Sequence, residues 1–247
     1  MNFFSFLGQN PEFLWVFTVF YDLTITVILF KLFGLRGLYI AVTLGIMLAN
    51  LQGGKVSDLS LFGQTFTVSM GAIMYSGIYF ATDLISEKYG RSEANTAVIL
   101  GAVSNVVIMF TLVLSTYYLP SKIATSSQSV HEAIETLAFY SPIFVIGSIT
   151  AYLISQTFDV WLFNYLKQAL SGKSLWLRNN LSTIISSLVD NTVFSIFAWI
   201  LLNPEPVSVY NVIMIYILGT YLLRIFIALL DTPFIYIAKF FVPKTND

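Results

Sequence analysis

Apolar residues arrive along this chain in long runs broken by short polar stretches, with little short-range alternation. A helix needs about 20 mostly apolar residues to cross a bilayer. Such runs fall at roughly 12–33, 37–52, 63–84, 94–118, 141–166, 179–202 and 208–232, which predicts seven spanning helices in one membrane domain over 1–247. The second run is short and ends at Gly53-Gly54, a pair that favours a turn. The last meets Pro233, which predicts a kink or a restart of the helix before "FIYIAKFF". The N-terminal stretch lacks the basic start of a secretory signal peptide, so the first run is read as a retained span.

The longest connection, 120–140, holds "SVHEAIETLAF". Ser129 and Glu132 have capping-box spacing, and Val130, Ile134 and Leu137 share a helical face. This predicts a short amphipathic helix on the outer surface, either a connector or a lid over an outward-facing pocket. His131 is expected on its solvated side.

Charge orients the spans. With the N-terminus outside, nine basic residues fall on the cytoplasmic side: Lys31, Arg36, Lys88, Arg91, Lys167, Lys173, Arg178, Lys239 and Lys244. Two, Lys55 and Lys122, fall outside, and Arg224 lies within a span. This is the asymmetry of the positive-inside rule, and one span more or fewer would scramble it. The expected location is the plasma (inner) membrane, with the C-terminus cytoplasmic.

Composition agrees. The chain is 57% hydrophobic and only 10% charged, with a mean hydropathy of +0.79, where soluble domains carry about 25% charged residues. It must bury itself in lipid. A net charge of -1 gives no reason to expect a nucleic-acid partner. There is no cysteine and one histidine, so thiolate and histidine-based metal sites are not expected, nor is a cofactor. A GxxxxGK[ST] phosphate loop is absent, which removes that route to ATP hydrolysis. A histidine-dependent hydrolase would need His131 from the outer loop, and nothing specific supports an aspartyl centre, so no enzyme is expected. No GxxxG pair marks a dimer face.

Ionisable residues inside spans carry the functional information, because each costs at least about 2.5–3.5 kcal/mol to insert at the membrane centre. Asn179, Thr183, Ser186, Ser187 and Asp190 recur at three- and four-residue steps and share one face. Asp190 is about 18 Å along the helix from Arg178, close to the bilayer midplane. In the fifth run Ser155, Gln156 and Asp159 can face inward together; in the seventh, Arg224 and Asp231 are too far apart to pair, so Arg224 is expected to meet Asp159 or Asp190. Asp83 and Glu87 lie four apart near the cytoplasmic face. Asp22 is read as a helix-packing contact. A polar seam that only holds helices together would give the same pattern.

Four segments in order, "ATDLISEKYG" (81–90), "SQTFDVWLFNYLK" (155–167), "WLRNNLSTIISSLVDNTVF" (176–194) and "LLRIFIALLDTPFIY" (222–236), resemble the motifs of the queuosine precursor transporter family, also described as vitamin uptake transporters. The resemblance covers roughly Leu38 to Phe240, and the run at 12–33 precedes it. Asp190-Asn191 stands where that family usually has Asp-Thr, and Arg224 where it usually has lysine. The resemblance implies an all-α integral membrane protein with a six-helix core (37–240) similar to the substrate-binding components of energy-coupling-factor transporters, plus one extra N-terminal helix. It further implies a homodimer that works without an ATPase module and imports a deazapurine, namely 7-cyano-7-deazaguanine, 7-aminomethyl-7-deazaguanine or queuine, for tRNA modification. On that reading Asn50, Gln156, Asp159, Asn180, Asp190 and Arg224 line the pocket, and Asp83, Glu87 and Asp231 act as gate or coupling groups. A carboxylate can accept from the ring N–H and exocyclic amine of such a base, and aromatic rings can stack on it. Import of another nitrogenous ring compound or vitamin, and a non-transporting membrane scaffold, remain the alternatives.

Overall fold

The computed structural model describes residues 3–241 apart from 54, 62, 63, 125, 140, 141, 202 and 204. Gly54 of the expected turn, Lys244 of the charge count, and the first residue of the fifth run therefore lie outside the described residues. After α1 (Phe3–Gln9), helix α2 (Pro11–Gln52) starts with proline in its first turn, where the missing N–H costs nothing.

Helix α2 contains both of the first two apolar runs. Gly34 within it has φ 59° and ψ -134°, a conformation glycine adopts without a Cβ penalty. The chain folds back there. A Cβ on Gly37 would strike the Leu29 carbonyl, which would lie about 12 Å away along a straight helix. The two limbs then run side by side along α3 (Gly71–Lys88): the Asp22 carboxylate of the first occupies the place of a Cβ on Gly77, and Gly45 of the second packs on Ile78. Asp22 is thus a packing contact, as expected.

The third run is corrected. Its first residue lies outside the described residues, and residues 64–69 are not helical; strands β1 (Val56–Leu61) and β2 (Gln64–Ser69) pair antiparallel from Val56↔Ser69 to Leu61↔Gln64, and α3 begins only at Gly71. The cause is local: "DLSL" and "TFTV" alternate polar and apolar, a period of two that suits a pleated strand. Leu59 and Val68 bury one face, and the Ser60 N–H donates to Glu12 Oε1 at 2.9 Å.

Helix α4 (Arg91–Thr116) is followed by α5 (Ser127–Phe139), the short helix expected in this connection. Its details differ from the expectation. The helix starts at Ser127, so Ser129 lies inside it and donates to the Ser126 carbonyl instead of capping. Ala138 and half-buried His131 and Ile134 face the bundle, while Val130 and Leu137 point out. His131 is not freely solvated; its Nε2 lies 3.5 Å from Glu135 Oε1. The small Ala138 face packs closest, which leaves the larger apolar residues to a lipid surface.

Helix α6 (Pro142–Ala169) packs along α7 (Leu175–Ser195), which continues as a π-helical stretch over Ile196–Leu201. A short turn, α8 (Val209–Asn211), and a second π-helical stretch (Val212–Gly219) lead into α9 (Thr220–Phe240). Pro233 does not restart the helix: α9 runs through it to Phe240, and packed spanning helices absorb the one lost backbone bond.

Four helical stretches among the described residues are long and apolar enough to cross a membrane: Pro11–Gln52, Arg91–Thr116, Leu175–Leu201 and Val209–Phe240. Large apolar side chains such as Phe13, Val107, Phe110 and Leu229 lie on the outside, while Asp83, Asp159, Arg178 and Asp190 are buried. That inverted distribution belongs to a multi-pass membrane protein. One end of the bundle gathers the basic residues: Lys31 over the Phe241 ring, Lys88 over the Phe30 ring, and Lys167, Arg178 and Lys239 around Glu87. The other end carries Glu12 and the β-hairpin.

Candidate functional site

Helix α7 turns its polar stripe into the bundle. Asn179, Thr183, Ser186, Ser187 and Asp190 are all buried. Their partners divide into three levels along the helix.

The first level centres on Asp190. Its Oδ2 accepts from Arg224 Nη1 of α9 at 2.6 Å; its Oδ1 accepts from the Tyr75 hydroxyl of α3 at 2.9 Å and from Ser155 of α6 at 3.1 Å. Four helices thus meet on one carboxylate. Of the two partners the spacing allowed for Arg224, Asp190 is the one it takes. The guanidinium stands 5.1 Å over the Tyr75 ring, a cation–π placement. Tyr79 and Tyr152 lie edge-on to Tyr75 at 6.2 and 6.1 Å between centroids. The hydroxyl of Tyr152 reaches α4 only because Gly101 has no side chain. Among the described residues, the Tyr152 hydroxyl and Arg224 Nε are buried donors without a hydrogen-bond acceptor.

The second level is acidic. Asp83 of α3, Asp159 of α6 and Asp231 of α9 are each at most 1% exposed. Asp83 Oδ2 accepts from Ser182 and Thr183 at 3.4 and 3.3 Å, and Asp231 Oδ1 accepts from Asn179 Nδ2 at 2.6 Å. The Asp83 and Asp159 carboxyls lie side by side. Gln156, one turn before Asp159, accepts from Thr82 at 3.2 Å. Among the described residues, no group of three or more acidic, histidine or cysteine side chains is arranged to hold a metal ion.

The third level closes the basic end. Glu87 Oε2 accepts from Arg178 Nη2 at 2.6 Å and lies 3.2 Å from Lys167 Nζ, and its Oε1 lies 3.3 Å from Lys239 Nζ. Arg178 is fully buried; the two lysines are partly exposed. One carboxylate therefore ties α3 to α6, α7 and α9.

Two expected pocket residues sit apart from Asp190. Asn180 donates to Thr232 Oγ1 at 2.6 Å, and Asn50 donates to Asn105 Oδ1 of α4 at 2.9 Å. Spacing did not single out Tyr75, Tyr79 or Tyr152. A signal for the first two was present: Tyr75, Tyr79, Asp83 and Glu87 follow one another at four-residue steps on one face of α3.

Open clefts lie elsewhere. One of about 490 Å³ is bordered by Leu153, Ile154, Phe158 and Trp161, and one of about 280 Å³ by Leu44, Met47 and Val103. Both are apolar and face outwards. At the polar centre both oxygens of Asp190 already carry hydrogen bonds, so a ligand that takes them must displace the hydroxyls or the guanidinium.

A buried polar column enclosed by lipid-facing helices is the arrangement of a membrane transport protein. The chain belongs to the queuosine precursor transporter family that its four motifs resemble. A family model described as "Putative vitamin uptake transporter" matches residues 69–238. A Bacillus subtilis (strain 168) protein named "Probable queuosine precursor transporter" is 33% identical over 231 residues, covering 93% of this chain and 95% of the relative. A Haemophilus influenzae protein of the same name is 28% identical over 145 residues, covering 57% of this chain and 54% of the relative. No solved structure matches the chain.

Proposed function

We propose that the protein imports a queuosine precursor, a 7-deazaguanine base, for use in tRNA modification. The observation that carries this reading is the Asp190 centre: a carboxylate and a guanidinium beside three tyrosines. A deazaguanine edge presents a ring N–H and an exocyclic amine side by side. A carboxylate accepts from both, in the geometry used to read base donors. The Tyr75 and Ser155 hydroxyls on Asp190 Oδ1 hold the acceptor ready and give way to the base. Arg224 Nε and the Tyr152 hydroxyl are donors for the ring carbonyl. Tyr75, Tyr79 and Tyr152 supply stacking faces, each such contact contributing about 1–3 kcal/mol. Gln156, Asp159, Asn180 and Asn50 extend the polar path on either side, and Glu87 with Arg178 forms the cytoplasmic gate, with Asp83 and Asp231 behind it.

Span count and charge asymmetry support the topology, and the family resemblance supports the core, the dimer and the independence from an ATPase. The chain crosses the plasma membrane seven times, with the two limbs of α2 as the first two crossings, the N-terminus outside and the C-terminus inside. Limb 12–33 is added to a six-helix core similar to energy-coupling-factor binding components. The protein acts as a homodimer without an ATPase. The gathering of basic residues at one end of the bundle supports the orientation.

The test is uptake of labelled 7-cyano-7-deazaguanine, its aminomethyl relative and queuine into cells unable to make them, read as restored tRNA modification. Wild-type protein that restores none overturns the substrate. The description of the matching family model favours a second reading, import of a vitamin. A panel of bases and vitamins in a thermal-shift assay on purified protein separates the two.

A further inference from the structure

The acidic level holds more negative charge than its surroundings can balance. Every basic side chain near it is committed elsewhere: Lys167, Arg178 and Lys239 to Glu87, and Arg224 to Asp190. The other ionisable groups around it place no buried cation against it. From α3 come Tyr79 and Glu87, from α7 Asp190, and from α2 Asp22 against Gly77. Lys88 of α3 donates to the Lys239 and Phe241 carbonyls, Arg91 in the first turn of α4 is exposed on the outer cleft beside Thr157 and Phe158, and Glu93 there accepts from the Tyr39 hydroxyl. Asp83, Asp159 and Asp231 therefore face one another across three helices with neutral donors alone.

A second observation concerns donors. Asp83 Oδ1 and Asn179 Oδ1 are buried acceptors with no hydrogen-bond donor among the described residues, and the two buried oxygens of Asp159 have only the Ser182 and Ser186 hydroxyls beside them. Asn179 is fully buried and aimed into the cluster by its bond to Asp231. Burying several acceptors together with too few donors is unfavourable. Adjacent carboxylates resolve that by sharing a proton, which removes one charge and turns one oxygen into a donor. A metal ion would need several ligands converging on one point, and the three carboxylates do not converge in that way.

We propose that Asp83, Asp159 and Asp231 form a proton-binding site whose inward proton movement is coupled to substrate import. The proton site stands on the burial, neighbours and hydrogen bonds of these side chains, and the coupling rests on the import reading above. A proton arriving from outside binds one carboxylate oxygen. It leaves to water on the cytoplasmic side once the Glu87 contacts open, and only that O–H bond is made and broken. Helices α6 and α7 carry the link: Ser155 on Asp190 and Asp159 lie one turn apart on α6, and Asp190 shares α7 with Ser182, Thr183 and Asn179.

The experiment has two arms on the full-length protein. In the first, infrared difference spectra of purified protein are recorded while the pH is raised from neutral. A protonated-carboxyl band at neutral pH that disappears on titration, and that Asp159→Asn lacks, is expected; a wild-type spectrum without such a band overturns the proposal. Should Asp159→Asn not fold, Asp83→Asn serves in its place. In the second arm, proteoliposomes take up labelled 7-cyano-7-deazaguanine with or without an inward proton gradient. Uptake raised by the gradient and abolished by a protonophore is expected, and the gradient response is lost in Asp159→Asn. Uptake indifferent to the proton gradient, or raised by a sodium gradient instead, overturns the coupling. Wild-type protein that takes up no deazaguanine base removes the substrate reading, and the infrared arm alone then decides the proton site.

Discussion

Arg224 of α9 and Asp190 of α7 form a buried ion pair, Nη1 to Oδ2 at 2.6 Å, with Tyr75 both donating to the carboxylate and lying under the guanidinium. Breaking such a pair from one side leaves an uncompensated buried charge, which costs about 3–5 kcal/mol. Arg224→Leu and Asp190→Ala are therefore expected to lower thermal stability in detergent strongly. Arg224→Lys keeps the charge and is expected to fold, with a smaller loss because the two-sided contact to Tyr75 is weakened. Equal melting temperatures for Arg224→Leu and Arg224→Lys would contradict the pairing.

Tyr75→Phe removes one donor from Asp190 and leaves the ring. A hydrogen bond to a charged group contributes about 1.5–3 kcal/mol, so a measurable stability loss is expected with the fold intact. On the proposed function it also raises the concentration of base needed for half-maximal uptake. A variant indistinguishable from wild type in both measurements would remove Tyr75 from the site.

At Glu87 the three cations should not count equally. Arg178 is fully buried, whereas the lysines are partly exposed and screened. Arg178→Gln is expected to destabilise by about 3 kcal/mol or more, and Lys239→Gln by at most about 1 kcal/mol. The comparison is made by chemical or thermal unfolding of each variant. A Lys239 effect as large as that of Arg178 would mean that the contacts do not divide by burial.

Gly37 tests the fold-back of α2. Its missing side chain lets the second limb touch the Leu29 backbone, and backbone does not move aside as a flexible side chain would. Gly37→Ala is expected to cost about 1–3 kcal/mol through overpacking. Gly8, with open space around it, should accept alanine without penalty. Purified yield and melting temperature distinguish the two.

Because the chain has no cysteine, orientation can be tested without background labelling. Lys55→Cys is expected to react with a membrane-impermeant maleimide in intact cells, and Lys173→Cys only after permeabilisation. The reverse pattern would invert the proposed topology.

Much of this architecture was legible in the sequence because lipid imposes a coarse rule. Long apolar runs become helices, and a polar face such as Asn179 to Asp190 must turn inward. The start of the third run hides a strand over 64–69 because a hydropathy window averages over the two-residue alternation of "TFTV". Within the candidate site, the α7 stripe gave Asp190 but not its partners, which come from three other helices. Spacing along one segment carries no information on which distant helix packs against it. Gln156 and Asp159 were placed on one inward face, yet only the packing of α3 on α6 sets Thr82 on one and Asp83 beside the other.

Glu87 has a consequence for how the protein is made. With Lys167, Arg178 and Lys239 around a single carboxylate, its end of the bundle keeps a surplus of positive charge even when every contact is closed. On the proposed orientation, these cations also belong to the signal that retains their loops in the cytoplasm during insertion. The latch and the topogenic signal are the same side chains. On the proposed function, neutralising them to loosen the gate also erodes the information that sets which way the helices enter the bilayer, so gating variants are best built at Glu87 itself.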